Sequence, residues 1–194
     1  VGLRQNYFSL FPNANLSWAL APKQGHSLVL QYARTIQRPN FWQLNPQRSQ
    51  ISDYTYQTGN PSLDPAFRHD LSLTVVLAHR YSLTGGVQIV DGEIQQSILT
   101  DPDHPEMLRI DWVNFDATSS YYASVNLPFQ LTRWWQLNLN GFYMRRGQRV
   151  EQHGPKQSFN WLFANASTTF TLPARFYIDC SYAYQGRIDL GNIR

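Results

Sequence analysis

Apolar and polar residues alternate along most of this chain, with a period of two over eight separate stretches. In the first stretch, Leu16 and Trp18 share one face while Asn15 and Ser17 lie on the other. A period of two predicts β-strands, because successive side chains of a strand point to opposite faces. Apolar residues that mark the eight predicted strands include Leu16, Leu30, Leu73, Leu83, Val125, Leu139, Ala166 and Ile178.

The connections between the predicted strands alternate between short and long. Residues 21–25, 79–80, 128–133 and 172–175 form the short turns, and residues 34–65, 100–111 and 145–157 form the long loops. Tight turns between neighbouring strands are typical of antiparallel sheets. We therefore predict an all-β, antiparallel, up-and-down architecture with its short turns at one end and its long loops at the other.

The first long loop, Arg34 to Pro65, contains four prolines. Proline fixes φ and biases the preceding residue towards extended backbone, so we expect this loop to be ordered but to contain no helix. Gly59 and Asn60 supply a turn before Pro61. The prolines of the loop are Pro39, Pro46, Pro61 and Pro65.

The first long loop also carries a family resemblance. Its motifs, followed directly by an alternating strand, resemble the C-terminal part of the barrel in TonB-dependent outer-membrane receptors, and the branch common in Bacteroidetes is the most similar. The weaker likeness extends from about Phe11 to about Tyr184. The motif residues, to which the resemblance gives a structural role in the loop, are Arg38, Pro39, Asn45, Pro46, Gly59, Asn60, Pro61, Leu63 and Pro65.

The resemblance implies a transmembrane barrel segment, about eight strands of a barrel of about 22 strands. Residues 1–194 would then form a partial barrel domain, without the plug and the remaining strands. Both ends of the chain fall at the long-loop side, and the chain begins at Val1 without a signal peptide. Complete bacterial barrels usually keep both ends in the periplasm. We therefore expect either a processed protein or, more simply, a piece of a longer one.

The resemblance implies that the chain forms part of the barrel wall and the extracellular loops of a transporter for active nutrient uptake. In such receptors the substrate binds to the loops and the plug, and TonB pulls on a segment near the N-terminus. Outer-membrane lipid and lipopolysaccharide would be further partners, and no cofactor is implied. The residues do not name the transported substrate.

Composition is compatible with a membrane barrel. Charged residues make up only 15% of the chain and aromatic residues 14%, against roughly 25% charged residues in soluble domains. No apolar run approaches the roughly 20 residues of a spanning helix, so helical insertion is excluded. The net charge of +3 comes from scattered residues, which argues against a nucleic-acid interface. We expect Cys180, the single cysteine, to be buried in packing on an apolar strand face.

Aromatic residues near the short turns predict a membrane-interface girdle. Aromatic residues in the first long loop are candidates for ligand contact. Arg145, Arg146 and Arg149 in the predicted third long loop could either bind lipopolysaccharide phosphates or form a solvated basic loop, and we favour the solvated loop. The predicted girdle residues are Trp18, Tyr81, Trp134 and Trp135, and the candidate ligand-contact residues are Trp42, Tyr54 and Tyr56.

No catalytic site is evident. His69 and Asp70 are adjacent on a strand and therefore point to opposite faces, and no GxSxG, HExxH or phosphate-binding glycine loop occurs. The acidic stretch 101–106 could offer oxygen atoms to a cation, but its prolines prevent the spacing of a regular metal loop. We predict a protein that is not an enzyme and has no metal site.

Two alternatives to a segment of a larger barrel remain open from the sequence. The chain could be a soluble all-β carbohydrate-binding module, whose apolar strand faces would pack against each other. It could also be a stand-alone eight-stranded structural barrel.

Asp91 and Gly92 form a good hairpin signal, but the resemblance favours a strand that continues through them with a bulge.

Overall fold

The computed structural model describes residues 9–149 and 156–186 and consists almost entirely of β-strands. The terminal residues and the middle of the predicted third long loop lie outside the described residues. Short 3-10 turns at Pro22–Gln24 and Pro173–Arg175 close two of the tight connections. The strands are β1 (Asn13–Ala21), β2 (His26–Gln37), β3 (Ser49–Ser52), β4 (Thr55–Gln57), β5 (Ala66–Leu77), β6 (Tyr81–Thr100), β7 (Leu108–Thr132), β8 (Trp135–Arg149), β9 (Lys156–Leu172) and β10 (Phe176–Gln185).

Eight of these strands form one antiparallel sheet in the order β1-β2-β5-β6-β7-β8-β9-β10. Each long strand pairs with the next long strand along the chain, which is the predicted up-and-down topology. Within the described residues, β1 and β10 are the two edges and do not pair with each other. The sheet is therefore open, and a closed stand-alone barrel of eight strands is not formed.

The register gives the sheet two chemically different faces. On the apolar face, Leu30 lies opposite Leu73 and Leu139 lies opposite Ala166. On the polar face, Thr74 and Thr84 share a hydrogen bond of 2.9 Å. Because side chains alternate along every strand, each of the eight strands contributes residues to both faces. Residues of the polar face include Gln31, Ser72, Gln88, Ser124, Asn140, Asn165 and Ser181.

The large apolar side chains along the eight strands on the apolar face are exposed or partly exposed. Leu16 is 66% exposed, and Leu83 and Tyr121 are each 55% exposed. A soluble sandwich would bury these side chains against a second sheet, so the prediction made for a soluble binding module is not met. Cys180 lies on this face of β10 and is exposed, which corrects the expectation that it is buried. The apolar pattern at Cys180 faces outward and not towards a protein core.

The buried apolar side chains lie at the long-loop end of the sheet. Leu63, Ala66, Val90 and Ile94 form one cluster, against which Leu44 and Trp112 also pack. The cluster joins the first long loop to the strands β5, β6 and β7. The core of the described chain is therefore a loop–strand junction.

The first long loop contains a short helix, α1 (Phe41–Leu44), where no helix was predicted. Pro39 precedes the helix and Pro46 follows it, so the four helical residues themselves include no proline. The Asn40 side chain accepts a hydrogen bond from the Gln43 N–H, and the Gln43 side chain accepts one from the Asn40 N–H. This capping box stabilises a single turn. Among the described residues, no helix has the length and apolar character needed to cross a bilayer.

The strands at the long-loop end extend further than the alternation predicted. Strand β6 continues to Thr100 and β7 begins at Leu108, so the second long loop is reduced to residues 101–107. Residues 145–149 belong to β8 and not to a loop. Backbone pairing needs no apolar side chain, and the ladders therefore continue where the apolar pattern stops.

Strand β6 passes through Asp91 and Gly92 without a turn. Asp91 lies opposite Ala117 and Glu93 opposite Phe115, so the register is the same on both sides of Gly92. Gly92 adopts a left-handed conformation with φ of 67°, which glycine tolerates without strain. Continuation of the strand was predicted correctly. The predicted bulge was wrong, because no extra residue is inserted opposite β7.

Candidate functional site

The first long loop folds over the ends of β6 and β7 and forms the candidate site. We call residues 38–65 together with residues 90–118 the crown, and the rest of the eight-stranded sheet the wall. Strand β4 pairs in parallel with the start of β7 and in antiparallel with β3. The Leu108 N–H donates to the Tyr54 carbonyl at 2.8 Å, and the Thr58 N–H donates to the Ile110 carbonyl at 3.0 Å. The loop therefore joins the sheet through its backbone.

Gly59 connects two of the motifs that suggested the family resemblance. Its N–H donates to the Asn45 carbonyl at 3.0 Å, and the Asn60 N–H donates to the Gln43 carbonyl at 2.7 Å. A Cβ atom at Gly59 would lie 2.5 Å from the Asn45 carbonyl oxygen and 2.8 Å from those of Gln43 and Trp42. Only glycine permits this approach, so residues 44–46 (Leu-Asn-Pro) and residues 59–61 (Gly-Asn-Pro) hold each other in place.

Two asparagines attach the following residues to the strands. The Asn60 side chain donates to the Trp112 carbonyl at 2.9 Å. The Asn114 side chain accepts from the Asp64 N–H at 2.9 Å and donates to the carbonyls of Asp64 and Gly92 at 2.9 Å and 2.7 Å. Leu63 is buried between these contacts. The motif residues 59–65 therefore contact the sheet directly, whereas Arg38 has no side-chain hydrogen bond or ion pair within the described residues.

Tyr56 and Asp101 form a buried hydrogen bond inside the crown. The Tyr56 hydroxyl donates to the Asp101 carboxylate at 2.5 Å, and the carboxylate also accepts from the Asp103 and His104 N–H groups. The hydrogen bond from Tyr56, followed by that from the Asp103 N–H, lowers the pKa of Asp101. The hydrogen bond to Asp101, followed by burial, raises the pKa of Tyr56.

The acidic loop 101–106, considered above as a cation ligand, uses its first carboxylate to order its own turn. Asp101 also donates its N–H to the Met107 carbonyl at 3.0 Å. Among the described residues, no three histidine, cysteine, aspartate or glutamate side chains lie together as metal ligands would.

The three candidate ligand-contact aromatics differ in exposure. Trp42 is 76% exposed and Tyr54 is 65% exposed, whereas Tyr56 is only 7% exposed. The Arg48 guanidinium carbon lies 3.8 Å from the centre of the Tyr56 ring and covers it. Trp42 and Tyr54 are therefore accessible to a ligand, and Tyr56 stabilises the crown from inside.

A cleft of about 430 Å³ lies between the first long loop and β7. Trp42 and Trp112 supply aromatic surface and Arg48 supplies a positive charge. Sequence reasoning missed Arg48 and Trp112 as site residues. Strand periodicity extended to residue 112 could have indicated Trp112, but no local signal marks Arg48. The lining residues are Trp42, Asn45, Gln47, Arg48, Ser49, Gln57, Thr58, Gly59 and Trp112.

The three arginines predicted in the third long loop belong to β8. Arg146 forms an ion pair with Glu93, and its guanidinium lies 5.9 Å from the centre of the Phe159 ring. Arg145 is exposed on the opposite face, and Arg149 is the last residue of the strand. A solvated basic loop is therefore not formed by residues 145–149.

The predicted girdle residues lie at the short-turn end of the wall. Trp134, Trp135 and Phe170 stack on one another with ring centres 5.7–6.2 Å apart. Tyr81, the first residue of β6, packs against Phe129 at 5.4 Å. Trp18 lies on β1, three residues before its end. Their role at a membrane interface stays a prediction.

A protein-family model described as the outer membrane protein β-barrel family matches residues 3–194. Among curated protein sequences, none matches the chain. The family match covers almost the whole sequence, including both the wall and the crown.

Solved structures resemble the chain over most of its length. The siderophore receptor PirA from Pseudomonas aeruginosa has a TM-score of 0.57 at 15% identity, over 89% of this chain and 38% of that receptor. The ferric enterobactin receptor PfeA in complex with BCV-L6 has a TM-score of 0.54 at 15% identity, over 88% and 34%. A substituted PfeA from Pseudomonas aeruginosa in complex with enterobactin has a TM-score of 0.53 at 14% identity, over 88% and 34%.

At this identity the likeness establishes the fold. The chain spans about a third of the length of these receptors. The predicted fold class, a segment of about eight antiparallel strands from a larger transmembrane barrel, is confirmed.

Proposed function

The chain belongs to the outer membrane protein β-barrel family and lies in the outer membrane, and we propose that it is part of a TonB-dependent transporter. In this proposal the wall separates lipid from a polar interior, and the crown contributes extracellular surface that captures a nutrient for active uptake. TonB acts through a part of the longer protein that precedes this chain. The role is transport and not catalysis.

The observation that carries the proposal is the contrast between the two faces of one sheet. The apolar face exposes side chains such as Leu16 and Leu83, as contact with lipid tails requires. The opposite face carries hydrogen-bonded polar side chains: Gln88 and Tyr122 both donate to Asp70, at 3.0 Å. Such polar side chains need water or protein partners, which the interior of a large barrel supplies.

The crown supports the binding part of the proposal. It holds an open cleft at the long-loop end, with the indole of Trp42 and the guanidinium of Arg48 at its edge. Outer-membrane barrels place their longer loops outside the cell. An exposed aromatic ring next to a fixed cation is suited to bind a planar or anionic part of a small molecule.

The test uses the full-length protein that contains this chain. Strains with and without it are grown under limitation of metal, vitamin or glycan, and the nutrient that separates them is followed by labelled uptake. We expect uptake to need both the protein and TonB. Uptake that persists without TonB, or no growth difference under any limitation, would contradict the transporter proposal.

Loop variants test the proposed ligand contacts. In the full-length protein, replacing Trp42 and Tyr54 together with alanine should lower nutrient binding about tenfold or more, because exposed aromatic anchors dominate such contacts. Ile98→Ala is the matched control, since Ile98 is an exposed apolar residue of β6 that does not line the cleft. Unchanged binding and uptake in the double variant would discard the two residues as ligand contacts.

A further inference from the structure

Arg145 and Arg146 are neighbours on β8 but face opposite sides of the sheet. The register places Arg145 between Tyr121 and Asn160, on the apolar face. Arg146 points to the other side, where Glu93 neutralises its charge. Within the described residues, the Arg145 side chain has no ion pair and no hydrogen bond. A cation without an ion pair among the described residues therefore projects from the same face of the sheet as Leu139 and Leu162.

Polar groups surround Arg145 on that face. A shallow cleft of about 540 Å³ is lined by Ser119, Tyr121, Tyr143, Arg145, Gly147 and Ser158. The Tyr143 hydroxyl donates to the Asn160 side-chain oxygen at 3.2 Å. The hydroxyl and guanidinium donors on three adjacent strands form a surface that can bind an anion.

The distance from the start of β8 to Arg145 matches the thickness of the apolar part of a membrane. Strand β8 begins at Trp135, in the stacked aromatic cluster at the short-turn end, and Arg145 lies about ten residues further along. At about 3.3 Å per residue this is about 33 Å along the strand, and a tilt of 35–45° reduces it to about 25 Å of height. The apolar band of an outer-membrane barrel is about 25 Å tall. The height between Trp135 and Arg145 therefore equals the height of the apolar band, so the two residues lie at its opposite boundaries.

The residues on either side of Arg145 support the same position. Towards the short turns, the apolar face carries Leu139, Tyr143 and Leu162. Beyond Arg145 it carries Ser119, Gly147 and Ser158. Tyr121 and Tyr143, followed by these polar groups, fit the boundary between lipid tails and headgroups, where tyrosine is enriched.

We propose that Arg145, with the hydroxyl groups beside it, binds the phosphate of a phosphorylated lipid headgroup in the outer leaflet. The guanidinium offers two parallel N–H donors to phosphate oxygens, and Ser119 and Ser158 offer further donors. The site is continuous with the lipid-facing surface, so a lipid whose tails lie along Leu139 and Leu162 places its headgroup at Arg145. The inference depends on the outer-membrane location of the strands and not on the transported nutrient.

The test measures lipid binding to the purified full-length protein in detergent. The probes are lipid A that carries its phosphates, the same lipid after removal of the phosphates, and inorganic phosphate as a competitor. Arg145→Gln should weaken binding of phosphorylated lipid A about three- to tenfold, the loss expected for one charge-assisted contact at an exposed site. Arg145→Lys should retain part of the affinity because it keeps the charge.

Arg68→Gln is the matched control, because Arg68 is an exposed arginine near the long-loop end of β5 on the polar face. It should bind phosphorylated lipid A as the unsubstituted protein does, and unsubstituted protein should prefer the phosphorylated lipid. Equal binding by Arg145→Gln and unsubstituted protein would overturn the proposal. Full displacement by millimolar inorganic phosphate would overturn the lipid as the ligand source. Uptake measured in the same variants reports on the transporter proposal separately.

Discussion

The wall and the crown share the strands β6 and β7 but are held together differently. In the wall, neighbouring strands pair along their whole length, and large apolar side chains such as Leu73 and Leu83 stay exposed. In the crown, Leu63, Val90 and Ile94 are buried, and polar side chains bond to the backbone of another segment. The wall depends on its surroundings for burial, whereas the crown supplies its own core.

The wall and the crown therefore depend on different features of the sequence. The wall needs only the alternation of apolar and polar residues, because lipid accepts any apolar side chain on the outer face. The crown needs particular residues at particular positions, since each contact joins two segments that are far apart in sequence. Substitutions should therefore be judged by face in the wall and by individual contact in the crown.

A charge on the apolar face of the wall should have the largest effect. Leu73→Arg puts a cation at mid-strand of β5, where lipid contact should cost about 2–4 kcal/mol of folding free energy. Thr74→Arg, one residue along on the polar face, should cost much less because water can reach it. Urea unfolding of the full-length protein in lipid vesicles, followed by heat-modifiable migration, compares the two. Equal costs at the two positions would contradict the assignment of the faces.

A side chain at Gly59 should have the next largest effect. Gly59→Val places atoms against three backbone carbonyls, the nearest 2.5 Å away, and these cannot move without opening the loop. Such overpacking typically costs about 1–3 kcal/mol. Limited proteolysis of intact cells should then show cleavage within residues 38–65. Gly85→Val is the control, because a Cβ atom there meets nothing within 4 Å.

If the first loop of Gly59→Val resists proteolysis, the contacts of Gly59 are not what keeps the loop packed against the strands. Cleavage in Gly85→Val as well would point to a general effect of β-branched residues and not to the Gly59 approach.

The wall could be predicted from the sequence almost completely, and the crown only in part. Alternation fixed the eight strands, their order and their faces, and the resemblance placed the chain in the outer membrane. The helix α1 was missed because prolines were taken to exclude a helix from the whole loop, although none lies between Phe41 and Leu44. The extension of β8 to Arg149 was missed because its outer end does not alternate.

No local pattern in the sequence predicts the long-range contacts of the crown. The bonds from Asn114 to Asp64 and Gly92 join segments that are far apart along the chain. The contact between the Arg48 guanidinium and the Tyr56 ring likewise depends on how the β3–β4 hairpin packs. The Gly59 motif signalled a tight loop, but its partner carbonyls are visible only in the fold.

The bond between Tyr56 and Asp101 should make the stability of the crown depend on pH. Because the pKa of Asp101 is lowered from its ordinary 3.8, its contribution is present above that value and is lost as pH falls through the lowered pKa. Because the pKa of Tyr56 is raised from 10.0, its contribution is present below that value and is lost as pH rises through the raised pKa. The protection of residues 101–107 against hydrogen exchange, measured relative to the intrinsic exchange rate at each pH, should therefore be greatest between these limits.

Tyr56→Phe removes the hydroxyl and keeps the ring beneath Arg48, and it should have the smallest effect of the three. Exchange of residues 101–107 at neutral pH should quicken about three- to tenfold, the change expected for one hydrogen bond. The alkaline loss of protection should disappear, while part of the acid loss should remain through the Asp103 and His104 N–H groups. Tyr54→Phe, at an exposed tyrosine of the same loop, should leave both losses unchanged. An alkaline loss that survives in Tyr56→Phe would assign it to another group.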